Sequence, residues 1–177
     1  CSDYCFNVNP FYSRDMFAEF VQPYLKEILD YYRANGYYSI KHTDGNVMPI
    51  LDMIVDAGPD AVHSLDPQGG VSLTKAKELY GDRVCLIGNV NCGLMQTGTE
   101  EQLVEDVRRS LREGMPGYGY IFSTSNCAFT GLALSRYELM HDRPGEGAAD
   151  PGLPGYRPHP YGYVGAAGGP AAPRQGL

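Results

Sequence analysis

The chain has 177 residues, a length that suits one domain, and carries 14 basic against 21 acidic side chains for a net charge of −7. That balance, with a pI near 5.0, excludes the basic surface a nucleic-acid partner needs. No apolar stretch approaches the roughly 20 residues of a membrane span, and five irregularly spaced cysteines without a CxxC pair make neither a disulfide framework nor a structural zinc motif of that kind. A reduced, cytoplasmic compartment is the default for such cysteine usage. No signal peptide opens the chain, and Cys1 in place of Met is read as the start of a fragment or a processed chain.

Ser13 to Asn35 form the clearest helical segment. Ser13 is placed to cap its start, Asp15 lies in the first turn, and Gly36 stops it. Phe17, Phe20, Val21, Tyr24, Leu25, Ile28, Leu29 and Tyr32 recur at spacings of three and four, which predicts one apolar face. Pro23 inside that pattern kinks the helix or resets its start. Four strand-like runs follow: Tyr37–Lys41, Ala61–Leu65, Val84–Gly88 and Tyr118–Ser123. The first two are followed by helices from Asn46 to Ala57 and from Ser72 to Tyr80. After the third, Thr99 and Gln102 form a capping box that opens a helix running through Leu103, Val107 and Leu111 to Gly114. A last helix lies near Leu132–His141.

Strands alternating with helices predict parallel pairing through right-handed crossovers, in a barrel or a doubly wound sheet. Asp66-Pro67-Gln68-Gly69-Gly70 has two glycines but matches neither GxGxxG nor GxxxxGK[ST], which favours the barrel. Four βα units are half of an eight-stranded one. The connections after the strands are longer than those before them, and they carry His42 and Asp44, then Asp66, Asn89 and Asn126. α/β enzymes place their chemistry at that end of the sheet, so these five are the candidate catalytic side chains. Beyond His141 nearly half the residues are Gly or Pro and apolar periodicity is lost. A disordered tail is expected over residues 143–177, after a domain spanning 1–142.

Several stretches, taken in order, carry a resemblance. They are Phe11-Tyr12-Ser13 with Phe20-Val21-Gln22-Pro23-Tyr24-Leu25-Lys26, and His42-Thr43-Asp44-Gly45-Asn46. Then come Gly58 to Asp66, Gly88-Asn89-Val90-Asn91 with Gly98-Thr99-Glu100-Glu101, and Gly119-Tyr120-Ile121-Phe122-Ser123. Over this span the chain resembles the uroporphyrinogen decarboxylase superfamily, which includes cobalamin-dependent methyltransferases. The resemblance implies a TIM-type (β/α)8 barrel, with this α/β chain supplying its C-terminal half. It also implies that the decarboxylases' arginine-rich loop and key aspartate belong to the other half.

Two activities are implied. Decarboxylases of the family use no cofactor; they bind a tetrapyrrole with many carboxylates and stabilise charge on a pyrrole ring with preorganised polar groups. The methyltransferase branch holds zinc on a His-x-Cys pair and a distant cysteine, and activates a thiol as thiolate. Asp44 stands where that branch has its first cysteine, Cys127 lies near its last, and the decarboxylases' late histidine is absent. His42, Asp44 and Cys127 form the zinc set implied, three ligands with an open position. In the competing structural reading Asp44 caps the next helix, His42 is hydrogen-bonded at the strand end, and Asp66 sets a turn before Pro67. His63 is read as a hydrogen-bonded barrel residue, Cys85 as core and Cys92 as a loop thiol.

The function expected is that of a uroporphyrinogen-decarboxylase-like carboxy-lyase acting, without cofactor, on a tetrapyrrole or cobalamin-linked substrate. Zinc-dependent methyl transfer with a corrinoid protein is the alternative. A second alternative is an inactive fragment or a half-barrel interaction module, for which a homodimer is the expected pairing.

Overall fold

A computed structural model of the chain describes residues 3–142. The tail expected over 143–177 and the domain boundary before it lie outside the described residues. The first helical segment is two helices, α1 (Arg14–Phe20) and α2 (Gln22–Ala34). The Ser13 hydroxyl accepts from Met16 N at 3.2 Å, and Pro23 sits in the first turn of α2, where its missing N–H costs no ladder bond. Pro23 therefore resets the helix. The single apolar face predicted here divides in two: Phe17, Leu25 and Leu29 are buried, whereas Phe20, Tyr24, Ile28 and Tyr32 are exposed.

Strand β1 (Ile40–Thr43) begins three residues later than predicted, leaving Tyr37 and Tyr38 exposed ahead of it. Its start is set by a contact distant in sequence. Ser39 N donates to Asp60 Oδ2 at 2.8 Å, and Asp60 N and Ala61 N donate to Ser39 O. Helix α3 (Leu51–Asp56) also starts late, because Asn46 Oδ1 accepts from Met48 N and Pro49 holds Met48–Ile50 as a 3₁₀ turn. Then come β2 (Ala61–Ser64), α4 (Leu73–Tyr80) and β3 (Cys85–Val90). Strand β3 runs two residues past its predicted end, so Asn89 is inside the strand. A helix absent from the prediction, α5 (Cys92–Thr97), follows, capped by Asn91. Helix α6 (Glu100–Gly114) opens with the predicted capping box: Gln102 N donates to Thr99 Oγ1 at 3.2 Å and Thr99 N to Gln102 Oε1 at 2.9 Å. Strand β4 (Tyr120–Thr124) and α7 (Leu134–Asp142) complete the described residues.

The strands pair in the order β1-β2-β3-β4, all parallel, with helices between them. This is the expected α/β architecture, half of a TIM-type barrel. Ile50, Leu51, Ile54, Val62, Leu73 and Leu86 form one cluster between sheet and helices; Val90, Met95, Leu103, Val107, Leu111 and Met140 form a second. Tyr120 and Phe122 pack against these clusters, so Ile121 between them faces the other side of the sheet, where it is 52% exposed. Ile40 on β1 is 62% exposed. In a closed barrel that side is a packed interior. Among the described residues no helix is long and apolar enough to cross a membrane.

Candidate functional site

The segment before α1 folds onto the carboxyl end of β1. Tyr4 N donates to Thr43 Oγ1 at 2.9 Å, Asn46 N to Phe6 O at 3.1 Å, and Asp44 N to Asp3 Oδ1 at 3.0 Å. Gly45 makes this approach possible: its φ is +81°, and a Cβ there would overlap the Phe6 carbonyl. Asp3 is thereby brought beside His42 and Asp44.

Parallel register sets His42 of β1 opposite His63 of β2. Their Nδ1 atoms lie 2.7 Å apart, and His63 Nε2 donates to Thr124 O at 3.1 Å. Burial is the largest influence on His63 and lowers its pKa, as does the His42 ring; the Thr124 carbonyl and Asp44 act in the opposite sense. On its other side His42 Nε2 is 3.6 Å from Asp44 Oδ1. Asp44 Oδ2 accepts from Asn126 Nδ2 at 2.7 Å, while Oδ1 is buried without a hydrogen-bond partner. Asp44 therefore ties the β1 end to the β4 end. It does not cap the next helix; Asn46 Oδ1 accepts from Met48 N in the turn that leads to it.

Asp66, at the end of β2, accepts from Gln68 N at 3.0 Å and so does set the turn before α4. Its half-buried carboxyl is raised above the ordinary range, first by burial and further by the charge of Asp44, with hydrogen bonds from Gln68 and Ser125 opposing. The structure thus brings His42, Asp44 and Asn126 together, with Asp66 within electrostatic reach. The other two candidates are placed elsewhere. The Asn89 side chain is fully buried: Nδ2 donates to Leu65 O at 3.0 Å, and Oδ1 accepts from Arg109 at 3.2 Å and Ser110 at 3.3 Å, both on α6. Gly88 before it has a φ of +140° within β3, and Asn89 serves the strand–helix packing. Cys127 is exposed, with its backbone N bonded to Asn126 Oδ1 at 2.7 Å. Among the described residues the group able to hold a metal is Asp3, His42 and Asp44, with donor atoms all within 4.8 Å of one another; Cys127 is not part of it.

Sequence reasoning missed Asp3, and it left His63 outside the candidate set. His63 had a signal, since laying the first two strands side by side pairs the histidines. Asp3 lies in a segment without periodicity and had none. Together Asp3, His42, Asp44 and Asp66 make an acceptor-rich cluster that favours N–H donors and positive charge.

The family model described as uroporphyrinogen decarboxylase (URO-D) matches residues 9–142. A curated uroporphyrinogen decarboxylase from Chlorobium luteolum is 33% identical over 108 residues, 57% of this chain and 28% of that protein. The chain therefore spans little more than a quarter of that relative's length.

Proposed function

The chain belongs to the uroporphyrinogen decarboxylase family, and on that premise we propose that it forms the C-terminal wall of a pocket in which a tetrapyrrole loses carboxyl groups as carbon dioxide. The observation that supports this reading is the meeting of Asn126, Asp44 and His42 at the carboxyl ends of β1 and β4, where TIM-type barrels carry their active sites. When a carbon–carboxyl bond breaks, its electron pair flows into the pyrrole ring, which must first carry positive charge. Asp44, with Asp3 and Asp66 near it, supplies fixed negative charge to favour that cation, and its oxygens accept pyrrole N–H groups. The ring gains that charge by taking a proton from water, the carbon that carbon dioxide leaves takes its replacement proton from water, and His42 accepts the ring proton back. This reading needs no cofactor, and it places the enzyme in the cytoplasm, as a homodimer, on a tetrapyrrole or cobalamin-linked substrate.

The test is turnover of uroporphyrinogen by a protein carrying this segment within a whole barrel, with products separated by their number of carboxyl groups. Asp44→Ala and Asn126→Ala are expected to lower kcat by at least about 100-fold with the fold retained. Wild-type turnover in Asp44→Ala would overturn the reading.

One observation favours a second reading, zinc-dependent methyl transfer with a corrinoid protein. Asp3, His42 and Asp44 bring one nitrogen and two oxygen donors within 4.8 Å of one another, and Asp44 Oδ1 is buried and unpartnered. These residues fit a zinc ion, and they would hold it in place of a set that includes Cys127. Bound there, zinc would supply the positive charge that keeps a substrate thiol ionised. Stoichiometric zinc in the purified protein, lost in His42→Ala, supports this reading; metal-free protein with full decarboxylase turnover counts against it.

A further inference from the structure

We infer that His63 is a positioning residue that fixes the tautomer of His42, keeping the hydrogen on Nδ1 and leaving Nε2 as a bare lone pair. A backbone carbonyl can only accept, so His63 Nε2, 3.1 Å from Thr124 O, carries a hydrogen. A neutral imidazole has one N–H, and His63 Nδ1 is therefore an acceptor. The 2.7 Å contact between the two Nδ1 atoms needs one hydrogen, which must then belong to His42. The strand register holds this chain of contacts in place, because His42 faces His63 along β1 and β2 while Thr124 ends β4.

The consequence lies at the other end of the ring. His42 Nε2 faces Asp44 Oδ1 at 3.6 Å, an oxygen without a hydrogen-bond partner, and the Asp3 carboxylate completes the group. In this tautomer His42 Nε2 and Asp44 Oδ1 face each other as two acceptors with no hydrogen between them. His42 Nε2 therefore accepts an N–H offered to it, and in this tautomer it has none to give.

The test is a two-bond ¹H–¹⁵N correlation spectrum of the ¹⁵N-labelled full chain at pH 8.5, about two units above the pKa of free imidazole. His42 is expected to show a protonated Nδ1 and a bare Nε2, and His63 the reverse. A protonated Nε2 on His42 overturns the inference. His63→Asn offers an amide oxygen near the lost Nδ1 and is expected to keep the His42 pattern. His63→Phe offers no acceptor and is expected to move the His42 hydrogen to Nε2; an unchanged His42 pattern in that variant overturns the positioning role. Should His63→Phe fail to fold, the wild-type assignment and the Asn variant decide. The spectra are recorded without substrate, so the outcome is separate from whether the pocket decarboxylates a tetrapyrrole.

Discussion

Replacing Asn89 by alanine separates a packing role from a role in the pocket. The side chain is fully buried and makes three hydrogen bonds, to Leu65 O, Arg109 Nη1 and Ser110 Oγ. Ser110 keeps its 2.8 Å contact with the Tyr120 hydroxyl, and Arg109 keeps Asp106 at 2.8 Å and Glu113 at 3.1 Å. The main loss is the amide donor to the buried Leu65 carbonyl, worth about 1–3 kcal/mol, to which the small cavity adds about 1 kcal/mol. Asn89→Ala is thus expected to lower stability by about 2–4 kcal/mol. The His42, Asp44 and Asn126 contacts should persist. Urea unfolding followed by far-ultraviolet circular dichroism reads the first, and His42 ring shifts by NMR read the second. A loss under about 0.5 kcal/mol, the scale of an ordinary surface change, would refute this placement of Asn89.

Three further outcomes are expected. Burial and the Asp44 charge raise the Asp66 pKa, so Asp66 contributes stability that is full below its unfolded value near 3.9 and is lost as pH rises through its folded value. Asp66→Asn keeps an acceptor for Gln68 N without that charge; it should equal or exceed wild type in urea midpoint at pH 7 and lose any advantage towards pH 3, and a clear deficit at pH 7 contradicts this. Gly88→Ala would set a Cβ against the Ser64 carbonyl at a φ of +140°. A loss of at least about 2 kcal/mol is expected in the same denaturation experiment, and an unchanged midpoint speaks against the strand geometry. Thr99→Ala removes one half of the α6 capping box and should cost about 1 kcal/mol by thermal unfolding, whereas an unshifted Tm would mean that the box contributes nothing.

The alternation of strands and helices was legible in the sequence because each element writes its own period or cap. Ser13, Pro23 and the Thr99–Gln102 pair all act within one turn, and all were readable. Boundaries were less so. The start of β1 depends on Asp60, 21 residues after Ser39. The place of Asn89 inside β3 is fixed by Ser110 and Arg109 of another element, which turn an apparent tip residue into packing. Within the site, the His42–x–Asp44 spacing was visible, and Asn126 was found through its place after a strand. Asp3 reaches the cluster only through the folding of a segment with no pattern of its own. Cys127 was chosen by resemblance, and its exposed position next to Asn126 separates it from the donors that converge.

Where a substrate sits on the sheet decides the role of Asp44 and His42. A crystal structure of a whole barrel carrying this segment, with a tetrapyrrole bound, should show a pyrrole nitrogen about 3 Å from Asp44 or His42 Nε2. A tetrapyrrole seated instead at the amino ends of the strands, in the hollow lined by Arg33, Asp60 and Arg83, would contradict it.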